Sequence, residues 1–175
     1  MMKRSLTQRF GRLLTRTGMS QTSCKRLLLA PKGLAAFAAL SNYTQYGSQL
    51  TPLQREPATL IAVRDVHYGW THHEPLARAV GVSEDQLLRI RDGRVPKDLE
   101  PPERALCDYA FEITAQRRVP QRVAEAMREH FGPRQIVDIA LLTSCSPAVA
   151  ALALALEVPI EPDETLRFEQ DWQQR

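Results

Sequence analysis

The stretch that most constrains this chain is Ile136–Val158, the longest apolar run in its 175 residues. Coiled into a helix, the run is apolar on nearly every side, and such a helix must be enclosed by other parts of the protein. The run is therefore expected to form the central buried helix, or one shared with a neighbouring subunit. Its charged N-terminal turn, opened by Pro133, and the polar break Thr143–Ser146 argue against a membrane span. Pro147 lacks an amide proton and is expected to kink the helix or divide it in two.

What encloses that helix is itself helical. No segment alternates apolar and polar residues as a strand does, aromatics make up only 6% of the chain, and the apolar residues are mainly Leu, Ala and Val. The expected fold class is all-α. Hydrophobic residues at 43% and charged residues at 25% suit one soluble globular domain. No Gly-rich phosphate loop and no internal repeat is present.

The punctuation places the helices. Arg26–Ala30 and Lys32–Leu40 read as two short helices, with Pro31 starting the second and Leu34, Phe37, Ala38 and Asn42 on its inner stripe. Tyr43–Gln49 reads as a polar link. Thr51-Pro52 supplies an N-cap and a first helical proline, with Pro57 about a turn inside. A turn at Val66–Gly69 leads to a helix with His73, Leu76, Ala77 and Val80 on one face. Ser83-Glu-Asp-Gln86 fits a capping box, with Gly93 as the stop. Pro101-Pro102-Glu103 opens a helix with stripe Ala105, Leu106, Tyr109, Ala110 and Ile113. Val119-Pro120 opens another, with Val123, Met127 and Phe131 inside.

Charge divides the chain differently. Residues 1–55 hold nine Lys or Arg and no acid, whereas the remaining 120 residues hold 14 basic and 20 acidic groups. Basicity thus belongs to an N-terminal extension, residues 1–23, ahead of a helical domain at 24–158 and an acidic tail at 159–175. The extension has the composition of a mitochondrial transit peptide, with a solvated tail as the alternative reading. With only Phe10 for stacking and no binding motif, it gives no case for nucleic acid. Cys24, Cys107 and Cys145 are widely spaced and odd in number, which points to free thiols in a reducing compartment and not to a zinc site. The expected location is the cytoplasm, or the mitochondrion if the extension is a transit peptide.

Chemistry-bearing residues concentrate at 55–81. Three of the four histidines, one of two tryptophans and the first acidic residue, Glu56, fall there. The pieces Leu53-Gln-Arg-Glu56, Tyr68-Gly-Trp70-Thr-His-His73, Ala77-Arg-Ala-Val-Gly81-Val-Ser83, Glu103-Arg-Ala-Leu106, His130-Phe131 and Arg134-Gln-Ile-Val-Asp138, in that order, resemble the carboxymuconolactone decarboxylase family, which includes the alkyl hydroperoxidase D enzymes. The resemblance covers roughly Arg26–Val158. It implies an all-helical bundle and an obligate homo-oligomer, a trimer or hexamer. The chain departs from the family pattern at instructive places. The peroxidase branch has two cysteines where Val66 and Gly69 stand, and neither residue can supply a thiolate. The decarboxylase branch has Glu where this chain has Gly69, and a Tyr-Asn and Arg where it has Ser146-Pro147 and Ala151.

His73 matches the family histidine, and an imidazole titrating near neutrality suits general acid–base work. Glu56 is placed to orient or polarise it, and the two are the candidate catalytic pair. Tyr68, Trp70 and Arg64 are candidate substrate-binding groups: a donor to a carboxylate, an apolar wall and a bidentate cation. His67, His72 and His73 make a metal reading conceivable, but adjacent His72 and His73 diverge by about 100° on a helix, so neither metal nor cofactor is expected. The leading function is a cofactor-free lyase or decarboxylase acting on a small carboxylated lactone or related acid. The alternatives are a peroxidase-like or metal-dependent oxidoreductase, and a non-catalytic oligomeric binding protein. Neither nucleic acid nor membrane is an expected partner.

Overall fold

In the computed structural model, which describes residues 29–115, 118–158 and 160, the chain runs as α1 (Pro31–Asn42), a π-helical turn (Tyr43–Gly47), α2 (Pro52–Val63), α3 (His67–Ala79), α4 (Glu84–Arg91), α5 (Pro101–Thr114), α6 (Gln121–His130) and α7 (Pro133–Ala155). No strand occurs among the described residues. Residues 1–28 and 161–175, and with them the N-terminal extension, Cys24 and most of the acidic tail, lie outside the described residues. Of the expected helix Arg26–Ala30, only Leu29 and Ala30 are described, and they form a turn capping α1.

Helix starts follow the residues. Prolines stand in the first turn of α1, α2, α5 and α7, where their missing amide proton costs nothing. Reciprocal capping boxes join Thr51 to Gln54 and Ser83 to Gln86. Gly81, at φ +103°, makes the turn between α3 and α4 that an L side chain would strain.

Helix α7 lies along α2, α5, α3 and α1, and the core forms where it crosses α2. Leu60 and Ile61 of α2, Leu106 of α5, Met127 of α6 and Ile139 and Leu142 of α7 are buried there. Removing such side chains from water is the main force holding the bundle together. By length and composition α7 is long and apolar enough to cross a membrane. Its apolar character goes partly to this core, while Val137 and Leu154 on its outer side remain exposed, at 56% and 61%.

Four expectations need correction. Pro147 does not divide α7, which runs unbroken from Pro133 to Ala155. One amide bond is lost there, but Ala150 and Ala153 beyond the proline are buried and hold the helix in register. The link at Tyr43–Gln49 is largely helical, because α1 widens into the π turn and does not stop. Ser41, not Asn42, completes the inner stripe of α1. Finally, the α2–α3 turn is Arg64–Val66, so Gly69 lies within α3. There α2 and α3 approach so closely that a β-carbon on Gly69 would sit 2.7 Å from Val63 Cβ.

Candidate functional site

The α2–α3 hairpin brings together the two residues singled out for catalysis. Glu56, in the second turn of α2, is 1% exposed, and its Oε2 lies 2.9 Å from His73 Nδ1 on α3. The capping box at Thr51 fixes where α2 begins, and the small Gly69 lets α3 close on it. Together these set the reach between the two side chains. His73 keeps 19% of its side chain exposed.

Electrostatics decide the state of Glu56. Burial by itself would push its carboxyl upward, since a charge loses its hydration there. The hydrogen bond and charge of His73, together with Arg55, outweigh that effect and hold the carboxyl below its ordinary value. An ionised carboxylate only accepts hydrogen bonds, so His73 must donate from Nδ1. In the neutral imidazole Nε2 is then the basic nitrogen, and in the imidazolium it carries the transferable proton.

Arg55 was not singled out from the sequence, and the structure gives it a definite place. Its Nε donates to Glu56 Oε1 at 3.0 Å, and its terminal nitrogen donates to the Gln45 carbonyl at 2.7 Å. The carboxylate is thus held from both sides, and the clasp reaches the π turn. That turn exposes the Gln45 carbonyl, and π-helical turns often accompany functional sites. In the sequence, the only signal was that Arg55 adjoins the first acidic residue of the chain.

The candidate binding residues are not gathered at His73. Trp70 is 4% exposed, donates from Nε1 to Glu74 at 2.7 Å and lies under the Arg91 guanidinium, 5.0 Å from its ring centre. It is a packing residue between α3 and α4. Tyr68 falls about 140° around α3 from His73 at 100° per residue, and its ring lies 4.4 Å from that of His72. Arg64 sits about 12 Å along α2 from Glu56 by helical rise. Its guanidinium contacts the Ile61 carbonyl, Asp65 and the Phe111 ring.

The metal candidates separate as well. His67 contacts Thr71, His72 contacts the Tyr68 carbonyl and His73 contacts Glu56, each on its own side of α3. No group of three His, Cys, Asp or Glu among the described residues is arranged to hold a metal ion. The described thiols are equally unsuited to nucleophilic work. Cys107 is 2% exposed, and burial with the nearby Asp108 and Glu103 charges pushes its thiol up to about 12. Burial also raises Cys145, against a smaller opposing effect of a bond with Thr44.

The helical bundle closed by a long apolar helix has the alkyl hydroperoxidase D-like fold. Solved structures bear this out. A protein of unknown function from Agrobacterium tumefaciens, proposed to be an AhpD antioxidant-defence protein, matches at a TM-score of 0.68 and 22% identity, over 82% of this chain and 100% of its own. An uncharacterised peroxidase-related protein from Silicibacter sp. TM1040 matches at 0.71 and 23% identity, over 90% of this chain and 85% of its own. At that identity the likeness establishes the fold alone. No protein-family model and no curated protein matches the sequence.

Proposed function

We propose that the chain is a cofactor-free acid–base enzyme, a lyase that decarboxylates a small carboxylated lactone or related acid, with His73 as its proton donor. The observation that carries this reading is the 2.9 Å contact between partly exposed His73 and buried, ionised Glu56. In such a reaction the bond to the carboxylate breaks and carbon dioxide leaves. The electron pair stays on the substrate, delocalised into its carbonyl, and the proton on Nε2 passes to carbon. Imidazole then takes a proton back from water. Glu56 is a positioning residue here: by accepting from Nδ1 it fixes the tautomer and the ring orientation, as a carboxylate does for a catalytic histidine elsewhere.

A peroxide-linked reading is favoured by the names of the two structural neighbours. Against it stand the raised thiols of Cys107 and Cys145, neither of which contacts His73. A non-catalytic binding role predicts no turnover at all. Carbon dioxide release from carboxymuconolactone and related acids tests all three. Turnover lost in His73→Ala, with helicity unchanged, supports the lyase. Turnover that survives the substitution overturns it.

The working unit we propose is a homo-oligomer, a trimer or hexamer, supported by the exposed apolar Val137 and Leu154 along α7. Light scattering should give a mass of three or six chains, and Val137→Glu with Leu154→Glu should reduce it to one.

A further inference from the structure

Away from His73, the bundle encloses a cavity of about 410 Å³ between the N-terminal turns of α2 and α5, the α3–α4 turn and α4. Its walls are Val82, Ile90, Leu106, Cys107 and Phe131, all buried, with Leu53 at the opening, 43% exposed. That size and lining match those of small-molecule pockets, which run to about 300–1,000 Å³. Neither His73 nor Glu56 lines it. Val80, which does, is seven residues beyond His73 on α3, about 10 Å by helical rise. The space shares α2 with the Glu–His pair, through Gln54 and Pro57 on either side of Glu56, but neither side chain of the pair lines it.

The charges around this cavity are of one sign. Glu100, which is exposed, and Glu103, which is half-buried, are its only charged lining residues. No ion pair to a basic side chain is recorded for either among the described residues. Glu103 accepts the Glu100 amide at 3.3 Å and the Glu100 side chain accepts from the Glu103 amide, a capping box that places both carboxylates at the start of α5. The Glu103 charge is felt at the cavity wall, where after burial and Asp108 it helps to raise the Cys107 thiol, against a smaller opposing effect of Arg104. An apolar chamber whose only charged lining groups are two carboxylates, each offset in part by the amides at the start of α5, is complementary to a cation with an apolar body and disfavours an anion.

We infer that this cavity is a second binding site, for a small apolar molecule carrying a protonated amine. The amine would sit between Glu100 and Glu103, and the apolar body would contact Val82, Ile90, Leu106 and Phe131. Because its mouth disfavours carboxylates, the site is not the one that takes the acid substrate proposed above, and it stands or falls independently of that reading.

Three probes with one skeleton test the inference: 3-phenylpropylamine, 3-phenylpropan-1-ol and 3-phenylpropionate, titrated into the full chain by calorimetry. The amine should bind at one site per chain, about threefold tighter than the alcohol, the size of effect a partly exposed ion pair gives. The acid should bind weakest. Glu100→Gln with Glu103→Gln should remove the advantage of the amine and keep the affinity for the alcohol. Leu53→Trp, a change at an exposed position that leaves the core untouched, should close the opening and abolish binding of both. Circular dichroism on each variant confirms the fold. Absence of binding by all three probes overturns the inference, as does an acid that binds as well as the amine. So does binding that ignores Leu53→Trp, because the probes would then lie elsewhere.

Discussion

Glu56 on α2 and Asp138 on α7 are both 1% exposed, and each is held by two donors, yet they form different kinds of place. Asp138 accepts from the Tyr43 hydroxyl at 2.6 Å and from the Gln49 amide at 2.9 Å, with Arg134 reaching the same hydroxyl at 3.4 Å. It ties α7 to the π turn and the strand of chain beyond it. Its donors are a phenol and a backbone amide. Glu56 accepts from Arg55 and from the imidazole of His73, which remains partly open to water. A buried carboxylate with fixed donors is a fastener. The same group beside an imidazole that meets solvent can serve chemistry.

Substitutions should separate the two regions cleanly. The largest effect belongs to His73→Ala, which should lower turnover by about 100- to 10,000-fold, the range that positioned proton transfer supplies. It should also lower the urea midpoint, because buried Glu56 loses the imidazole that offsets its burial, so turnover is compared per folded molecule. Asp138→Ala should affect stability alone. Leaving the Tyr43 hydroxyl and Gln49 amide without their charged acceptor should cost about 3 kcal/mol in urea unfolding, while turnover per folded molecule is retained. If Asp138→Ala loses turnover in the folded state, the division between fastener and site fails.

Next in size is Gly69→Ala. Its new methyl group would collide with Val63, and overpacking of this kind costs about 1–3 kcal/mol. Adding Val63→Ala should recover part of that loss in thermal unfolding, and a double variant no better than additive would show the contact to be unimportant.

The smallest effect is on acid stability. Glu56 binds its proton less readily in the folded chain than its ordinary value of 4.5 implies. At acid pH the unfolded chain therefore takes up the proton first. The stability from this group is complete above the ordinary value and is lost as pH falls through the lower folded value. Urea unfolding as a function of pH should show a shallower acid limb in Glu56→Gln than in the wild type, and identical limbs would contradict the assignment.

Much of this was legible from residue order. Thr51-Pro52 and Ser83 with Gln86 announce their helix starts, because capping is a matter of three or four neighbouring residues. The stripe Val123, Met127 and Phe131 is buried as its spacing requires. Glu56 and His73, 17 residues apart, were linked because a short hairpin leaves few alternatives. The pairing of Tyr43 with Asp138 spans 95 residues and has no local signature. Nor has the π turn, since its five residues hold a single buried one, Thr44, too few to show a period. Arg64 and Tyr68 lie away from His73 for a related reason. Their chemistry suited a substrate carboxylate, but the direction of a side chain around its helix depends on a boundary that the sequence placed late, at Gly69 in place of Val66.

The contact between Gly69 and Val63 also limits what this turn can carry. In the peroxidase branch of the resembling family, the positions of Val66 and Gly69 hold the two thiols. Introducing cysteine at 69 alone would place a side chain where Val63 already stands. Room for it would come from a smaller residue at Val63, which is 2% exposed in the core. A disulfide across this turn would therefore need changes at 63, 66 and 69 together, so the close packing of α2 on α3 and a thiol pair at this turn are competing uses of the same space.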